Sequence, residues 1–403
     1  MAHSAATAAP PQRVLLRFAP AVLIIFFGYL AIGMPLAVLP LQVHDRLGFG
    51  SFVVGVSVSL QSLATLASRQ LAGSLCDRRG PNLAMRLGGA CSLAAGLIQV
   101  VACVVPASAA VALAAILAAR VVLGIGESLL VTGSLAWAIG LVDPRHTGKV
   151  MVWVGIGMYG ALAAGAPLGI WLVTGRALAD GFVTVAITAS VWALAATVTS
   201  VLVVPVAPAG GERLPFRAVA ARIAPFGAGL TLASVGFGAI AAFAALDFRM
   251  KGWPGAGFAL ATFGVTYIVT RILLGHWPDR FGGARVAMVS LIVEAGGQIL
   301  LWLAPFPAVA IAGSILSGAG VSLVFPSFGI VAMKLVPPAS RGSALGAYVA
   351  FADLGYALAG PLTGVFAGAF GYPSVFAAGA LSAAMAVLPA LYAANSRNIA
   401  SQG

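Results

Sequence analysis

The chain has 403 residues, of which 61% are hydrophobic and 8% charged, whereas a soluble globular protein has about 25% charged residues. Too little polar surface is present to cover a water-soluble globule, so we expect most of the chain to lie in a lipid bilayer. The formal charge of +12 follows the loops, as shown below, and therefore does not indicate nucleic-acid binding. Cys76, Cys91 and Cys103 have neither zinc-site nor disulfide spacing, so we expect buried thiols and no metal or cofactor.

Apolar runs of about 20 residues recur along the chain, each long enough for one helix to cross a bilayer, whereas barrel strands would be about half as long. The sequence therefore predicts an all-α polytopic membrane protein. The twelve predicted spans are Phe18–Leu41, Phe52–Leu75, Leu83–Val105, Ala107–Ile139, Val150–Leu172, Phe182–Val204, Ile223–Leu246, Pro254–Trp277, Val286–Leu303, Ala308–Met333, Ser343–Phe366 and Ser374–Tyr392. The fourth run is predicted to be one long helix, because splitting it would move Arg145 and Lys149 away from the other basic loop residues.

Basic residues are concentrated in the loops on one side of the predicted membrane. The loops of the other side have only Arg46, Arg176, Arg249 and Lys251. By the positive-inside rule, the sequence predicts a multi-pass protein of the inner (plasma) membrane with both termini in the cytoplasm. The polar stretch 206–221 is predicted to be a cytoplasmic linker between an N-terminal six-helix bundle, 1–205, and a C-terminal one, 222–403.

The stretch from Asp45 to Gly80 recurs, without a gap, as Asp247 to Gly282. The matched residues are scarce charges and glycines, not abundant apolar types: Asp45, Gly50, Gly55, Arg69, Gly73, Asp77, Arg78 and Gly80 match Asp247, Gly252, Gly257, Arg271, Gly275, Asp279, Arg280 and Gly282. A second match pairs Gly124, Gly126 and Pro167 with Gly318, Gly320 and Pro361. Six spans separate the copies, so both face the same way. Two pseudo-symmetric six-helix bundles with a cleft between them are the architecture of an alternating-access carrier.

Three motifs resemble those of the major facilitator superfamily. Gly73 to Gly80, with its echo Gly275 to Gly282, resembles the signature loop between spans two and three. The fourth-span motif of the proton-coupled members is similar to Arg120, Gly124 and Gly126, and the fifth-span motif of the exporting antiporters is similar to Gly157, Gly160, Gly165 and Pro167. Two departures are Pro81-Asn82, in place of a basic pair, and Ala166, in place of the glycine before the proline.

The chain looks most similar to the bacterial drug- or sugar-efflux permeases of this superfamily. The resemblance implies the major facilitator fold, in which spans one, four, seven and ten line a central cavity and spans two, five, eight and eleven lie beside them. It also implies transport by alternating access.

Charged residues that the repeat copies lie towards the predicted cytoplasmic helix ends: Arg69, Asp77, Arg78, Arg271, Asp279 and Arg280. We predict that they form a cytoplasmic gate, closed in the outward-open state, with Gly73 and Gly275 permitting close helix approach. The alternative is snorkelling and capping at the membrane interface. The copied Asp45 and Asp247 are expected to cap helices at the outer ends, and His44 to be a solvated loop residue.

Charged residues that the repeat does not copy lie inside spans: Arg120, Glu127, Glu294 and Asp353, opposite Ser314, Val321, Ser92 and Tyr159. A charge at the bilayer centre costs ~3 kcal/mol or more on insertion scales, so such residues usually line a cavity. Arg120 and Glu127 share a helix face about 10 Å apart, which is too far for an obligatory ion pair, although both can reach one cavity.

The cavity that the resemblance implies places Glu127 and Asp353 on opposite walls. We predict that Glu127 is the proton-carrying acid and Asp353 the second; the alternative for either is a permanently satisfied structural carboxylate. Substrate-binding candidates are Arg120, Tyr159, Trp137 and Tyr356. Glu294, near Gln298 on span nine, is expected to have a fixed tie to Arg271.

Neither a nucleophile–base arrangement nor a phosphate-binding glycine loop is visible, so we expect no enzymatic activity. We predict a monomeric, proton-coupled secondary transporter that exports a small organic solute, with protons, the solute and the bilayer as its partners. The alternatives are a proton-coupled uptake symporter and a transporter-like receptor that moves nothing.

Overall fold

The computed structural model describes residues 11–105, 108–142, 147–207, 216–336 and 341–392. The described chain is helical and has no strand. Its elements are α1 (Pro11–Leu41), a π-helical turn (Gln42–Arg46), α2 (Ser51–Arg79), α3 (Pro81–Val104), α4 (Ala109–Gly140), α5 (Thr147–Val173), α6 (Leu178–Leu202), α7 (Phe216–Met250), α8 (Ala256–Leu274), α9 (Trp277–Phe281), α10 (Gly283–Leu303), α11 (Pro307–Lys334), α12 (Arg341–Phe370) and α13 (Ser374–Met385).

Twelve helices of the described chain are long and apolar enough to cross a membrane, which confirms the predicted number of spans. The fourth is one continuous helix, as expected. The eighth predicted span is too long, because α8 ends at Leu274 and Pro278 opens the separate short helix α9. The predicted linker is also too long, since α7 begins at Phe216; residues 208–215, Arg145 and both termini lie outside the described residues.

The repeated signature loop has a backbone reason for its last glycine. Gly80 joins α2 to α3 with a φ of 91°, and Gly282 joins α9 to α10 with a φ of 89°. Residues with a Cβ rarely adopt this conformation. The two copies therefore make the same tight connection, in which each glycine is the N-cap of the next helix.

The helices form two bundles, α1–α6 and α7–α13. Helices α1 and α7 are the most deeply buried spans. The bundles meet mainly where α2 packs against α12 and α5 against α8. This arrangement confirms the predicted fold of two six-helix bundles, and it places spans two, five, eight and eleven at the boundary between the halves.

The two halves touch at the end of the molecule that holds the π-helical turn, which we call the closed end. A Cβ on Gly55 of α2 would lie 2.0 Å from the carbonyl oxygen of Gly360 on α12. The pseudo-symmetric crossing is looser, because a Cβ on Gly257 of α8 would lie 3.3 Å from the Ala166 oxygen and 3.0 Å from Pro167 Cα. The looser crossing explains why alanine is accepted at 166, the position that corresponds to Gly360.

The opposite end, which holds the signature loops, lacks such crossings at the positions where the sequence predicted them. A Cβ on Gly73 would meet no atom within 4 Å, and the same holds for Gly155 and Gly346. At Gly275 the nearest atoms belong to Arg271, in the preceding helical turn. The close approach expected at Gly73 and Gly275 is therefore not formed in this conformation.

One hydroxyl of the N-terminal half enters the backbone of the C-terminal half. Ser59 Oγ donates to the Tyr356 carbonyl at 2.7 Å and accepts from the Gly360 amide at 2.9 Å. A regular helix pairs these two backbone groups with each other. A side chain at this position weakens the local ladder, and Pro361 in the next position lacks an amide hydrogen as well.

We predict that Gly55→Leu opens the closed end, because a side chain at this crossing has no space. Pulsed EPR between spin labels at Arg46→Cys and Met250→Cys, in a background without the three native cysteines, should show a longer distance than in the parent protein. Gly73→Leu is the matched control and should leave that distance unchanged. An unchanged distance in Gly55→Leu would contradict the packing described.

Candidate substrate and proton site between the halves

The carboxyl group of Glu127, on α4, accepts hydrogen bonds from α1 and α2. Tyr29 Oη donates to Oε1 at 2.6 Å, and Gln61 Nε2 donates to Oε2 at 2.7 Å. Thr65 Oγ1 lies 3.2 Å from Oε2 and also reaches two backbone carbonyls. Both carboxyl oxygens therefore have polar partners on neighbouring helices. Glu127 is partly exposed, whereas its three partners are buried.

Arg69 and Asp353 form an ion pair between α2 and α12, and so between the two halves. Arg69 Nε donates to Oδ2 of Asp353, and Nη2 donates to Oδ1 at 3.1 Å. The side chains are 13% and 8% exposed. A bidentate contact fixes orientation as well as distance. The sequence had placed Arg69 in the cytoplasmic gate and Asp353 at the proton site, and the structure brings the two together.

Glu127 lies within electrostatic range of this ion pair. Arg69 interacts electrostatically with Tyr29 and Glu127 as well as with Asp353. We call Tyr29, Arg69, Glu127 and Asp353 the central cluster. It contains both predicted acids, one from each half: Asp353 is paired with the Arg69 guanidinium, and Glu127 is within its electrostatic range.

Arg120 lies outside the central cluster, although it interacts electrostatically with Glu127. Its side chain is buried, and it donates from Nε to the Ser57 carbonyl at 3.1 Å and from Nη2 to the Val58 carbonyl at 3.0 Å. Its Nη1 has no hydrogen-bond partner among the described residues. These contacts tie α4 to α2, and the guanidinium forms no ion pair with Glu127.

Two of the predicted substrate residues meet at the boundary between the halves. The hydroxyls of Tyr159 and Tyr356 are 3.2 Å apart, and the Tyr159 ring stacks on Tyr267 with a centroid distance of 3.6 Å. Phe237 packs against both Tyr159 and Tyr356. Arg271 Nη2 donates to the Tyr267 hydroxyl at 2.7 Å. An aromatic wall from both halves therefore lies beside Arg271.

Trp137 is not part of this wall. It is buried near the end of α4, where its Nε1 donates to the Val204 carbonyl at 2.8 Å. Gln298 and Glu294 are also apart from the cluster, and the expected tie between Glu294 and Arg271 is not formed, because Arg271 is engaged by Tyr267.

The predicted gate residues lie at the signature-loop end. Asp77 and Arg78 are in the last turn of α2, and Asp279 and Arg280 are in α9, with Arg280 above the Phe281 ring. Apolar grooves of about 420 and 440 Å³ flank them at corresponding places in the two halves. The first is lined by Ser68, Leu71, Ser74, Leu75, Arg78, Arg79, Ile125 and Leu129, and the second by Thr270, Leu274, Trp277, Phe281, Arg285, Val286, Val289, Ser290, Val293, Ala319, Gly320 and Leu323.

Polar contacts also join the halves at the closed end. Asp45 pairs with Arg249 at 3.0 Å, whereas Asp247 pairs with Lys251 within its own half. His44 is half-buried, with Nδ1 2.9 Å from the Phe49 carbonyl oxygen and its ring edge-on to Tyr372. The expected solvated loop is thus a packed turn. Burial raises the pKa of Tyr372, and the nearby Asp45 raises it further.

Comparison with known proteins agrees with this architecture. The sequence profile of the Major Facilitator Superfamily matches residues 21–254 and 231–401. The chain belongs to the major facilitator superfamily. An uncharacterised MFS-type transporter of Burkholderia mallei (strain SAVP1) is 45% identical over 90% of this chain and 88% of its own length. Another, from Pseudomonas aeruginosa (strain LESB58), is 44% identical over 91% of this chain and 90% of its own.

The fold of this major facilitator protein is also seen in solved structures. A D-xylose–proton symporter superposes with a TM-score of 0.76 over 94% of this chain and 97% of its own, at 16% identity. At that identity the likeness establishes the fold alone. Family membership makes the chain a multi-pass membrane transporter and not an enzyme, as the sequence predicted.

The neutral partners of Glu127 in this transporter were not among the predicted site residues, because only charged residues were expected to mark the site by being uncopied. Tyr29, Gln61 and Thr65 are equally uncopied, because the residues 202 positions later are Thr231, Phe263 and Tyr267. Gln61 and Thr65 also share one face of α2. Extending this criterion to every polar residue would have found all three.

We expect Arg69→Gln and Asp353→Asn each to cost about 2–5 kcal/mol of unfolding free energy, because either change leaves a mostly buried charge unpaired. The double variant should cost less than the sum of the two. Equilibrium unfolding of the four proteins in detergent gives the coupling. Arg69 and Glu294 share no contact, so the unfolding free-energy changes of Arg69→Gln and Glu294→Gln should add. Additive changes for Arg69→Gln and Asp353→Asn would contradict the ion pair.

Proposed function

We propose that this transporter exports a small organic solute in exchange for protons, with Glu127 as the proton-carrying acid. The observation that carries the proposal is the position of Glu127. It is an uncopied, partly exposed carboxyl group with three polar partners, placed within electrostatic range of the guanidinium that joins the halves. An acid that takes up and releases protons needs access to water, and Asp353 is more deeply buried.

The central cluster suggests how protonation is coupled to movement. Arg69 is paired with an acid of the other half, Asp353, and is within electrostatic range of an acid of its own half, Glu127. Protonation of Glu127 removes one of the two charges that compete for Arg69 and so strengthens its attraction to Asp353. Ionisation of Glu127 draws Arg69 back towards its own half. The proton therefore biases how firmly α2 is held to α12, which is the requirement for coupling.

With the orientation expected from the positive-inside rule, the closed end faces outwards and the conformation described faces the cytoplasm. In it Glu127 is partly exposed, which suits proton release to the cytoplasm followed by solute binding. The copied charges at the signature loops are proposed to close that end in the alternate conformation. The inner-membrane location, cytoplasmic termini and monomeric state stay predictions.

The solute class follows from the residues near the cluster. Tyr159, Tyr267, Tyr356 and Phe237 offer ring faces and hydroxyls, and Arg271 is the charged group beside them. Such a wall suits a neutral, zwitterionic or singly charged solute with a ring or an apolar face.

Proteoliposomes with an imposed pH gradient test the proposal, using labelled D-xylose, uridine and ethidium as a sugar, a nucleoside and a lipophilic cation. We expect acid-inside loading to drive accumulation of at least one probe and Glu127→Gln to reduce it to the level of empty liposomes. Accumulation driven by acid outside would instead show uptake symport. Probe binding without flux in either gradient would show a receptor.

The same assay ranks the two acids. Asp353→Asn should slow proton-driven accumulation without abolishing it, because the proposal gives that residue the holding role. If Asp353→Asn abolished accumulation and Glu127→Gln left it intact, the two roles would be exchanged. Trp137→Phe is the control, because Trp137 is remote from the cluster and is expected to retain accumulation.

A further inference from the structure

A second intramembrane acid lies inside the C-terminal bundle, apart from the central cluster. Glu294 is at the middle of α10, 0% exposed, and neither of its carboxyl oxygens has a hydrogen-bond partner among the described residues. An ionised carboxylate in such a place costs many kcal/mol unless a positive charge accompanies it. Glu294 therefore requires a proton or another cation.

Among the described residues, no side chain near Glu294 supplies that charge. Its helix packs against α7, α9, α11 and α13, and the charged residues described on these helices are remote along the chain. On α7 the nearest is Asp247, 11 positions from Gly236, or about 16 Å along the helix. Lys334 of α11 is 14 positions from Gly320, and Arg285, at the start of α10, is 9 positions away. Charges described on α9 are Asp279 and Arg280, and α13 has none.

The surroundings of Glu294 are instead uncharged oxygen groups and glycines. Gln298, one turn along α10, is also 0% exposed; its Nε2 is 3.3 Å from Ser317 Oγ of α11, and its Oε1 has no described partner. A Cβ on Gly236 of α7 would lie 2.9 Å from Glu294 Oε1 and 2.7 Å from Gln298 Nε2, and a Cβ on Gly379 of α13 would lie 2.7 Å from Gln298 Oε1. The two glycines leave the space that these polar groups occupy.

We propose that Glu294, Gln298 and Ser317 form a binding site for one monovalent cation, H⁺ or Na⁺, enclosed by α7, α10, α11 and α13. Carboxylate, amide and hydroxyl oxygens are the hard ligands that such a cation takes in proteins. A single cation also neutralises the carboxylate. The corresponding positions of the first half, Ser92 and Gly96, have neither a carboxyl nor an amide group, so the fold itself does not require this site.

The site bears on the conformational cycle through α7. Gly236 contacts Glu294 and Gln298, and α7 is one of the two central helices, packed against α1 of the other half. A bound cation stabilises the folded C-terminal bundle by mass action. This proposal does not depend on proton export through Glu127.

Thermal unfolding of the purified full-length protein, followed by tryptophan fluorescence, tests the site. Samples contain about 0.1 M sodium chloride or N-methylglucamine chloride at equal ionic strength, across neutral to alkaline pH. A sodium site predicts that sodium raises the unfolding temperature by a few degrees and that Glu294→Gln abolishes this rise. Glu127→Gln is the matched control and should retain the rise, whatever its effect on transport.

A proton site predicts no effect of sodium. The folded protein then holds a proton that the unfolded chain releases, so the unfolding temperature falls as the pH rises, and Glu294→Gln removes this part of the decline. The proposal is wrong if Glu294→Gln has the same sodium and pH dependence as the parent protein, since Glu294 would then hold neither cation in the folded protein.

A measurement on the parent protein covers the case in which the variant does not fold. A hydrophobic carbodiimide reacts with protonated carboxyl groups, and mass spectrometry locates the adduct. Labelling of Glu294 should fall as the pH rises at a proton site, and sodium should protect against it at a sodium site. Labelling that responds to neither would overturn the proposal.

Discussion

The contact between Arg69 and Asp353 is the interaction on which the rest of the structure depends. Both side chains lie within spans, where a lone charge is costly, so each requires the other or a substitute. They belong to opposite halves. If the halves separate at this level, each of the two charges needs another partner. Glu127 is the available substitute on the side of Arg69. In the proposed mechanism, this single guanidinium with two possible acidic partners would link the protonation state of Glu127 to the position of α2 against α12.

The internal repeat distinguishes residues that build the fold, which occur in both halves, from candidate functional residues, which occur in only one half. Gly80 and Gly282 make the same backbone turn, and Gly55 and Gly257 mark corresponding crossings. The acids well inside the spans, Glu127, Glu294 and Asp353, are not duplicated. Asp353 corresponds to Tyr159, so the position that completes an ion pair in one half carries a stacked ring in the other. The two halves therefore share the same backbone scaffold, whereas the carboxyl group is present at only one of the two corresponding positions.

Sequence alone predicted the twelve spans, the two bundles and the presence of acids inside spans, because these follow from apolar run length, the internal repeat and the scarcity of charge. It did not predict which residues touch. Periodicity shows that Arg69 and Gln61 lie on α2, but not that Arg69 reaches α12 while Gln61 reaches α4. Sequence also does not show which conformation of the transport cycle the structure represents. The close helix approach expected at Gly73 is absent from this one. Glu294 was assigned a partner by charge, whereas packing placed Arg271 against Tyr267.

The hydrogen bonds of the Ser59 hydroxyl allow α2 and α12 to separate at the closed end without a net loss of hydrogen bonds. This hydroxyl donates to the Tyr356 carbonyl and accepts from the Gly360 amide. When α2 withdraws, those two backbone groups are left facing each other at the spacing of an ordinary helical turn and can bond directly. The hydroxyl can then turn back to a carbonyl of its own helix, as serines in helices do. The two hydrogen bonds between Ser59 and α12 are therefore exchanged for two hydrogen bonds within the helices. Neither helix surface is left with an unsatisfied polar group in hydrocarbon.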